Sequence, residues 1–214
     1  MLTQALAPYE VRFTMPDITD EYAQIQFCFG TENVTTVIDN VQMLRLTNTS
    51  MRMNPLNNGD FSAGQSGWTP INDSGGYAAA TFNQKAVFDI TSIGANPWSV
   101  MLMQDKLPMY TGVTYTLEFD AASTVARNAE VVFENNQNNQ YVRSFDKIMT
   151  LTTDTAHYSY NFTITQDQPL ALKFLLGNMD NIDPLPADIT KIPTQLSTIT
   201  ISNVKLYISA PPIM

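Results

Sequence analysis

The chain has 214 residues, enough for one large all-β domain or for one domain with part of another. Only 14 % of the side chains are charged, and 11 basic residues against 20 acidic ones leave a formal charge of −9. With no cluster of Lys and Arg, the composition argues against nucleic acid and against a membrane surface as partners, and no stretch approaches the roughly 18 apolar residues of a membrane span.

In chain order, the pattern is one of short alternating runs with almost no helical periodicity. The first are "YEVRFTM" from Tyr9, "YAQIQFCF" from Tyr22 and "TVIDNVQMLRL" from Thr36. Next come "AVFDI" from Ala86, "WSVMLMQ" from Trp98 and "TYTLEFDA" from Thr114. "AEVVF", "VRSF", "YSYNFTI", "LALKFLL" and "TITISNVKLYI" complete the series, with Gly, Asn, Pro and Asp between them. Many short strands punctuated in this way predict an all-β, antiparallel sandwich. In "TYTLEFDA", Tyr115, Leu117 and Phe119 share one face and Thr116, Glu118 and Asp120 the other, as in a sheet with one wet side.

The opening "MLTQALAPYE" has neither a basic n-region nor an apolar h-region, so it does not read as a signal peptide. Cys28 is the single cysteine; among apolar neighbours it reads as a small buried hydrophobe, and it leaves the redox compartment open. An abundance of Asn, Gln, Ser and Thr suits a neutral, hydroxyl-rich partner.

The runs also repeat. "YEVRFT" is echoed by "YSYNFT", so that Tyr9, Phe13 and Thr14 match Tyr158, Phe162 and Thr163. "AQIQFCFG" parallels "LALKFLLG", and Asn40 and Val41 match Asn203 and Val204. The second copy carries the longer loop "NMDNIDPLPADITKIPTQL". A period of this size is a domain length. Residues 1–47 therefore read as the last strands of a preceding module, 48–53 as a linker and 54–214 as a complete module. Three strands without a partner layer bury too little to be stable alone. The first segment is expected to pack against something outside itself, by preference the same segment of a second chain in a homodimer.

Four stretches in order, "NGDFSAGQSGW" (58–68), "NPWSVMLMQ" (96–104), "GVTYTLEFDA" (112–121) and "TISNVKLYI" (200–208), resemble the carbohydrate-binding modules of family 4 and its relatives in families 9, 16 and 22. The resemblance implies a jelly-roll β-sandwich that holds a polysaccharide, xylan or a β-glucan, without cutting it. It also implies an attached catalytic domain, a glycoside hydrolase, and an extracellular or cell-surface location. No cofactor is implied apart from a structural calcium, which many relatives bind through acids at positions held here by Ser62 and Ser202. A hydroxyl is a poor substitute for a carboxylate at a hard cation, which puts that calcium in question.

Sugar rings stack their C–H faces on aromatic side chains and bond their hydroxyls to amides and guanidinium groups. Trp98, placed after Pro97 at a strand mouth, is one candidate platform, the alternative being a rim-packed ring. Gln104 extends the strand from Trp98 and, six residues on, shares its face, either lining the cleft floor or serving as a fixed structural amide. The amide run ending in "QYVRSF" offers Asn135, Asn139, Gln140, Tyr141 and Arg143; the competing reading is a solvated hairpin. Trp68 reads as core. Two other functional classes remain: a structural or adhesion sandwich, whose rim aromatic would sit in an apolar patch, and a glycoside hydrolase using paired acids such as Glu118 and Asp120.

Overall fold

The computed structural model describes residues 27, 37–38, 55–109, 111–136, 141–165 and 169–209. The chain divides into two compact units, Met1–Leu44 and Arg45–Met214. In the first unit only Phe27, Val37 and Ile38 are described, all three exposed. The expected strands of residues 1–47, the linker and the homodimer contact lie outside the described residues.

The second unit is an antiparallel jelly-roll β-sandwich. Its strands are β1 (Thr69–Asn72), β2 (Gly76–Phe82), β3 (Ala86–Ile93), β4 (Val100–Leu107), β5 (Thr114–Ser123), β6 (Arg127–Asn135), β7 (Val142–Leu151), β8 (Ala156–Thr163), β9 (Leu170–Leu175) and β10 (Thr198–Ile208). A 3-10 turn, Pro97–Ser99, leads into β4. One sheet has the order β1-β4-β9-β6-β7 and the other β2-β3-β10-β5-β8.

Between the sheets lies an aromatic core. Alternation sends Tyr115, Leu117 and Phe119 of β5 inward, all of them buried. Phe119 stacks on Tyr158 at 5.1 Å and meets Phe174 edge-on at 5.0 Å, while Phe162 stacks on Phe133 at 4.8 Å and on Phe145 at 4.4 Å. Such pairs add about 0.5–1.5 kcal/mol each beyond their area burial. Trp68 is buried at one end of this core, 5.2 Å from Phe61, with its indole N–H given to Asn58 O at 3.0 Å.

Two strands do not show in the sequence as alternating apolar runs, although burial does alternate along β2. β1 reads "TPIN" and β2 "GYAAATF"; with proline, glycine and alanine where bulky apolar residues would alternate, neither has a visible hydrophobic period. Their partners define them. β1 lies in register against β4, and β2 against β3.

The loop between β9 and β10 is fastened at both ends by Arg127. Its guanidinium is fully buried and donates to Leu176 O at 2.6 Å, Gly177 O at 2.7 Å, Gln195 O at 3.1 Å and Ser197 Oγ at 3.2 Å. Burial lowers its pKa to about 10, so it is still charged at neutral pH. The carbonyl ends it binds disperse that charge.

Candidate functional site

The rows of the first sheet define its outer face, the one turned away from the second sheet. Val131 and Phe133 of β6 point into the core, so Glu130, Val132 and Glu134 point outward. In register with them are Met101 and Met103 of β4, Leu175 and Lys173 of β9, and Asp146 of β7. Met101, Val132 and Leu175, with Ile71 packed against them, form a small apolar cluster of their own.

At the β6–β7 end of this face the charged residues converge. A β-bulge falls between Phe133 and Glu134, where the pairing moves from Phe133↔Phe145 to Glu134↔Arg143. Without it Arg143 would oppose Asn135 and face the other side; with it, Arg143 joins the two glutamates. Bulges commonly re-aim a side chain in this way. The Arg143 guanidinium forks onto Glu130, at 2.6 Å from Nη1 to Oε1 and 3.5 Å from Nη2 to Oε2, and its Nε lies 3.6 Å from Glu134. Lys173 Nζ donates to Glu134 Oε1 at 2.5 Å and stands 5.2 Å from the centroid of the Tyr141 ring. Burial pushes the Glu130 carboxyl above its ordinary range, opposed by the charge of Arg143.

Tyr141 is the outward end of this chain of contacts. Its side chain is 52 % exposed and its backbone has φ +50°, a left-handed conformation that a bulky residue adopts only under constraint. Such outliers cluster at functional sites. Half-buried on the same face is Asn136, whose amide nitrogen reaches Met103 Sδ at 3.3 Å; Asn135, the last residue of β6, alternates onto the other side of the sheet. The corner thus presents an exposed ring and a partly exposed guanidinium.

Of the residues picked from the sequence, the structure brings together Tyr141 and Arg143; Asn135 alternates onto the other side of the sheet. Asn139 and Gln140 lie outside the described residues. Gln104 belongs elsewhere: it is 2 % exposed, its Oε1 accepts from Asn57 N at 2.7 Å and its Nε2 donates to Asn57 O at 2.8 Å. It is a structural amide that fastens the segment before Trp68 to β4. The expected shared face with Trp98 fails because the 3-10 turn breaks the strand count between them.

Trp98 sits on that turn, 44 % exposed. The turn itself is held from several sides. Asn96 and Ser99 cap each other, Pro97 O accepts from Gly177 N at 2.8 Å, Asn96 O accepts from Asn178 N at 3.0 Å and Ala95 O accepts from Asn181 Nδ2 at 2.7 Å. Gly177 allows this approach, since a Cβ there would lie 2.3 Å from Asn96 O. The backbone that carries the ring is thereby fixed. It stands at the opposite end of the first sheet from Tyr141: the rows through Met101 and Arg143 are four residues apart along β6, about 13 Å.

Sequence reasoning missed Lys173, Glu130 and Glu134. A lone Lys inside "LALKFL" and Glu130 inside "AEVVF" were the available signals.

The acids weighed for catalysis lie on the second sheet. Glu118 accepts from Tyr207 OH; Asp120 accepts from Asn203 Nδ2 at 2.7 Å and lies 2.8 Å from His157 Nδ1. The Asn203 amide, followed by His157, holds the Asp120 carboxyl below its ordinary range. A general acid for glycoside cleavage needs the opposite shift.

Of the two serines at the expected calcium positions, Ser62 gives its N–H and its hydroxyl to Asp60 Oδ1, at 3.1 and 2.9 Å, and Ser202 lies opposite Asp120. Among the described residues no three His, Cys, Asp or Glu side chains are grouped to hold a metal ion.

A family model described as a carbohydrate binding domain matches residues 54–181. No curated protein sequence matches the chain. Among solved structures, one titled "CBM4 structure and function" is similar over 72 % of this chain and 99 % of its own, at 20 % identity and a TM-score of 0.59. The second N-terminal cellulose-binding domain of β-1,4-glucanase C from Cellulomonas fimi is similar over 75 % and 97 %, at 21 % identity and 0.55. The enzymatically active domain of tailspike protein 4 from bacteriophage CBA120 matches 73 % of this chain and 21 % of its own, at 17 % identity and 0.53. At these identities the likeness is one of fold.

Proposed function

The chain belongs to the carbohydrate binding domain family, and from that premise we propose that residues 54–214 hold a xylan or β-glucan chain without cleaving it, the Tyr141 corner being the main contact. In this reading the module keeps an attached glycoside hydrolase on its substrate outside the cell.

One observation carries the proposal. An exposed tyrosine ring in a strained backbone stands beside a guanidinium that is already oriented by two glutamates. A pyranose needs an apolar plane for its C–H face and planar donors for its hydroxyls, and the corner supplies both. Pre-ordering matters here. Holding a flexible side chain at an interface costs about 0.5–1.5 kcal/mol, and the pairs on Arg143 and Lys173 meet that cost before a ligand arrives. Trp98, exposed on a turn whose backbone is held at the far end of the sheet, serves as a second stacking point.

Affinity electrophoresis against soluble xylans, β-glucans and mannans tests this reading. The parent should be retarded by a xylan or β-glucan, and Tyr141→Ala should lose about 1–3 kcal/mol of that binding, the scale of a ring at an interface centre. A parent that migrates freely through every glycan contradicts the proposal.

A further inference from the structure

We propose that Lys173 is a positioning residue, which fixes the Tyr141 ring from beneath and couples it to Arg143 through Glu134, leaving one face of the ring for a sugar. The inference rests on the carbohydrate-binding reading of this corner and adds to it a residue that does not touch the ligand.

β9 is a central strand, and five of its six residues, "LALKFL", are apolar. Lys173 interrupts it with a charge whose side chain is only 7 % exposed. A buried ammonium is costly, and an apolar residue of similar volume often serves stability as well or better. What the lysine does that methionine would not is visible in its two contacts. Nζ donates to Glu134, itself buried, and it stands over the Tyr141 ring within the range of a cation–π contact. Tyr141 needs such a hold, because its left-handed backbone is not a conformation that a tyrosine keeps by itself.

The second link runs sideways. Glu134 lies between Lys173 and Arg143, and Arg143 lies between Glu134 and Glu130. Ring, ammonium, carboxylate and guanidinium therefore form one connected unit across β9, β6 and β7. Removing the lysine releases the ring and slackens the guanidinium together. With the ammonium against one face, a ligand meets the other.

The test compares Lys173→Met, which keeps the stem and loses the charge, with Lys173→Arg, which keeps a cation over the ring. Two readouts are taken: affinity for the glycan that retards the parent, and the near-ultraviolet circular dichroism of tyrosine. Lys173→Met should weaken binding by roughly tenfold, the scale of a partly desolvated cation–π contact, and should alter the tyrosine band. That alteration should vanish in a Tyr141→Ala background, and Lys173→Arg should restore most of both signals. Should Lys173→Met alone fail to fold, Lys173→Met with Glu134→Gln removes both charges together and should show the same two losses. An unchanged tyrosine band, parental binding, or losses that simply add in the double variant with Tyr141→Ala would overturn the proposal. A parent that binds no glycan overturns the functional reading instead, while the tyrosine band still judges Lys173.

Discussion

At the scale of single residues, the two tryptophans stand in opposite environments. Trp68 is buried against Phe61 and Phe174 with its N–H satisfied, whereas Trp98 stands out from a turn whose backbone is tied on several sides. Trp68→Ala should cost about 3–5 kcal/mol of stability, as a large core deletion does. Trp98→Ala should leave the melting temperature nearly unchanged and weaken glycan binding. Thermal melts paired with binding assays check both, and the opposite assignment of losses would show that the roles are exchanged. Chemical type made this division readable in part: a tryptophan after proline at a strand mouth points to a rim. Gln104 was not readable in the same way. It shares the inward face of β4 with Val100 and Leu102, the 3-10 turn at Pro97–Ser99 takes Trp98 out of that count, and its partner Asn57 is 47 residues away. An amide on a strand looks the same in sequence whether it meets a ligand or a distant backbone.

At the scale of elements, the outer face of the second sheet is laced by side-chain bonds across its strands. Thr114 meets Thr163, Thr116 meets Asn161, Glu118 meets Tyr207, and Asp120 meets both His157 and Asn203. Asp120 gives these ties a pH dependence. Its folded pKa is lowered, chiefly by the Asn203 amide and then by His157, so its contribution is present above the unfolded carboxylate pKa, about 4, and is lost as pH falls through the lower folded value. Asp120→Asn should therefore lower the melting temperature at neutral pH and flatten its decline in acid; parallel declines for parent and variant would show that Asp120 contributes nothing. Glu130 works in the other direction, since burial raises its pKa and the neutral form suits the fold better as pH falls.

Strand patterns follow the same logic of legibility. β5 carries clear alternation, and its inward residues are the ones alternation selects; β10 alternates on either side of a bulge between Ser202 and Lys205, which moves the inward set from Ile199 and Ile201 to Val204 and Leu206. β1 and β2 are set by pairing with their neighbours and not by a pattern of their own. The bulge that turns Arg143 outward is likewise a property of two strands together. Tyr141 and Arg143 are legible as a pair, but the glutamates that orient Arg143 come from β6 and the lysine beneath Tyr141 comes from β9.

At the scale of the whole molecule, the proposed site is separated from the core by face and by end. The space between the sheets holds the aromatic core, the second sheet's outer face is tied to itself, and the first sheet's outer face carries the connected charges that end in an exposed ring. Arg127 and the β9–β10 loop close the end of the sandwich where Trp98 stands. The family fixes the class of ligand; the corner of β6, β7 and β9 is where the account places it. The most direct test is backbone amide mapping by heteronuclear NMR, titrating the chain with an oligosaccharide of the glycan that retards it in electrophoresis. The account predicts shifts concentrated at residues 134–136, 141–143 and 173, with a second, smaller group at 95–99, and quiet amides along β5, β8 and β10. Shifts concentrated on β5, β8 and β10, with the Tyr141 corner unmoved, would contradict it.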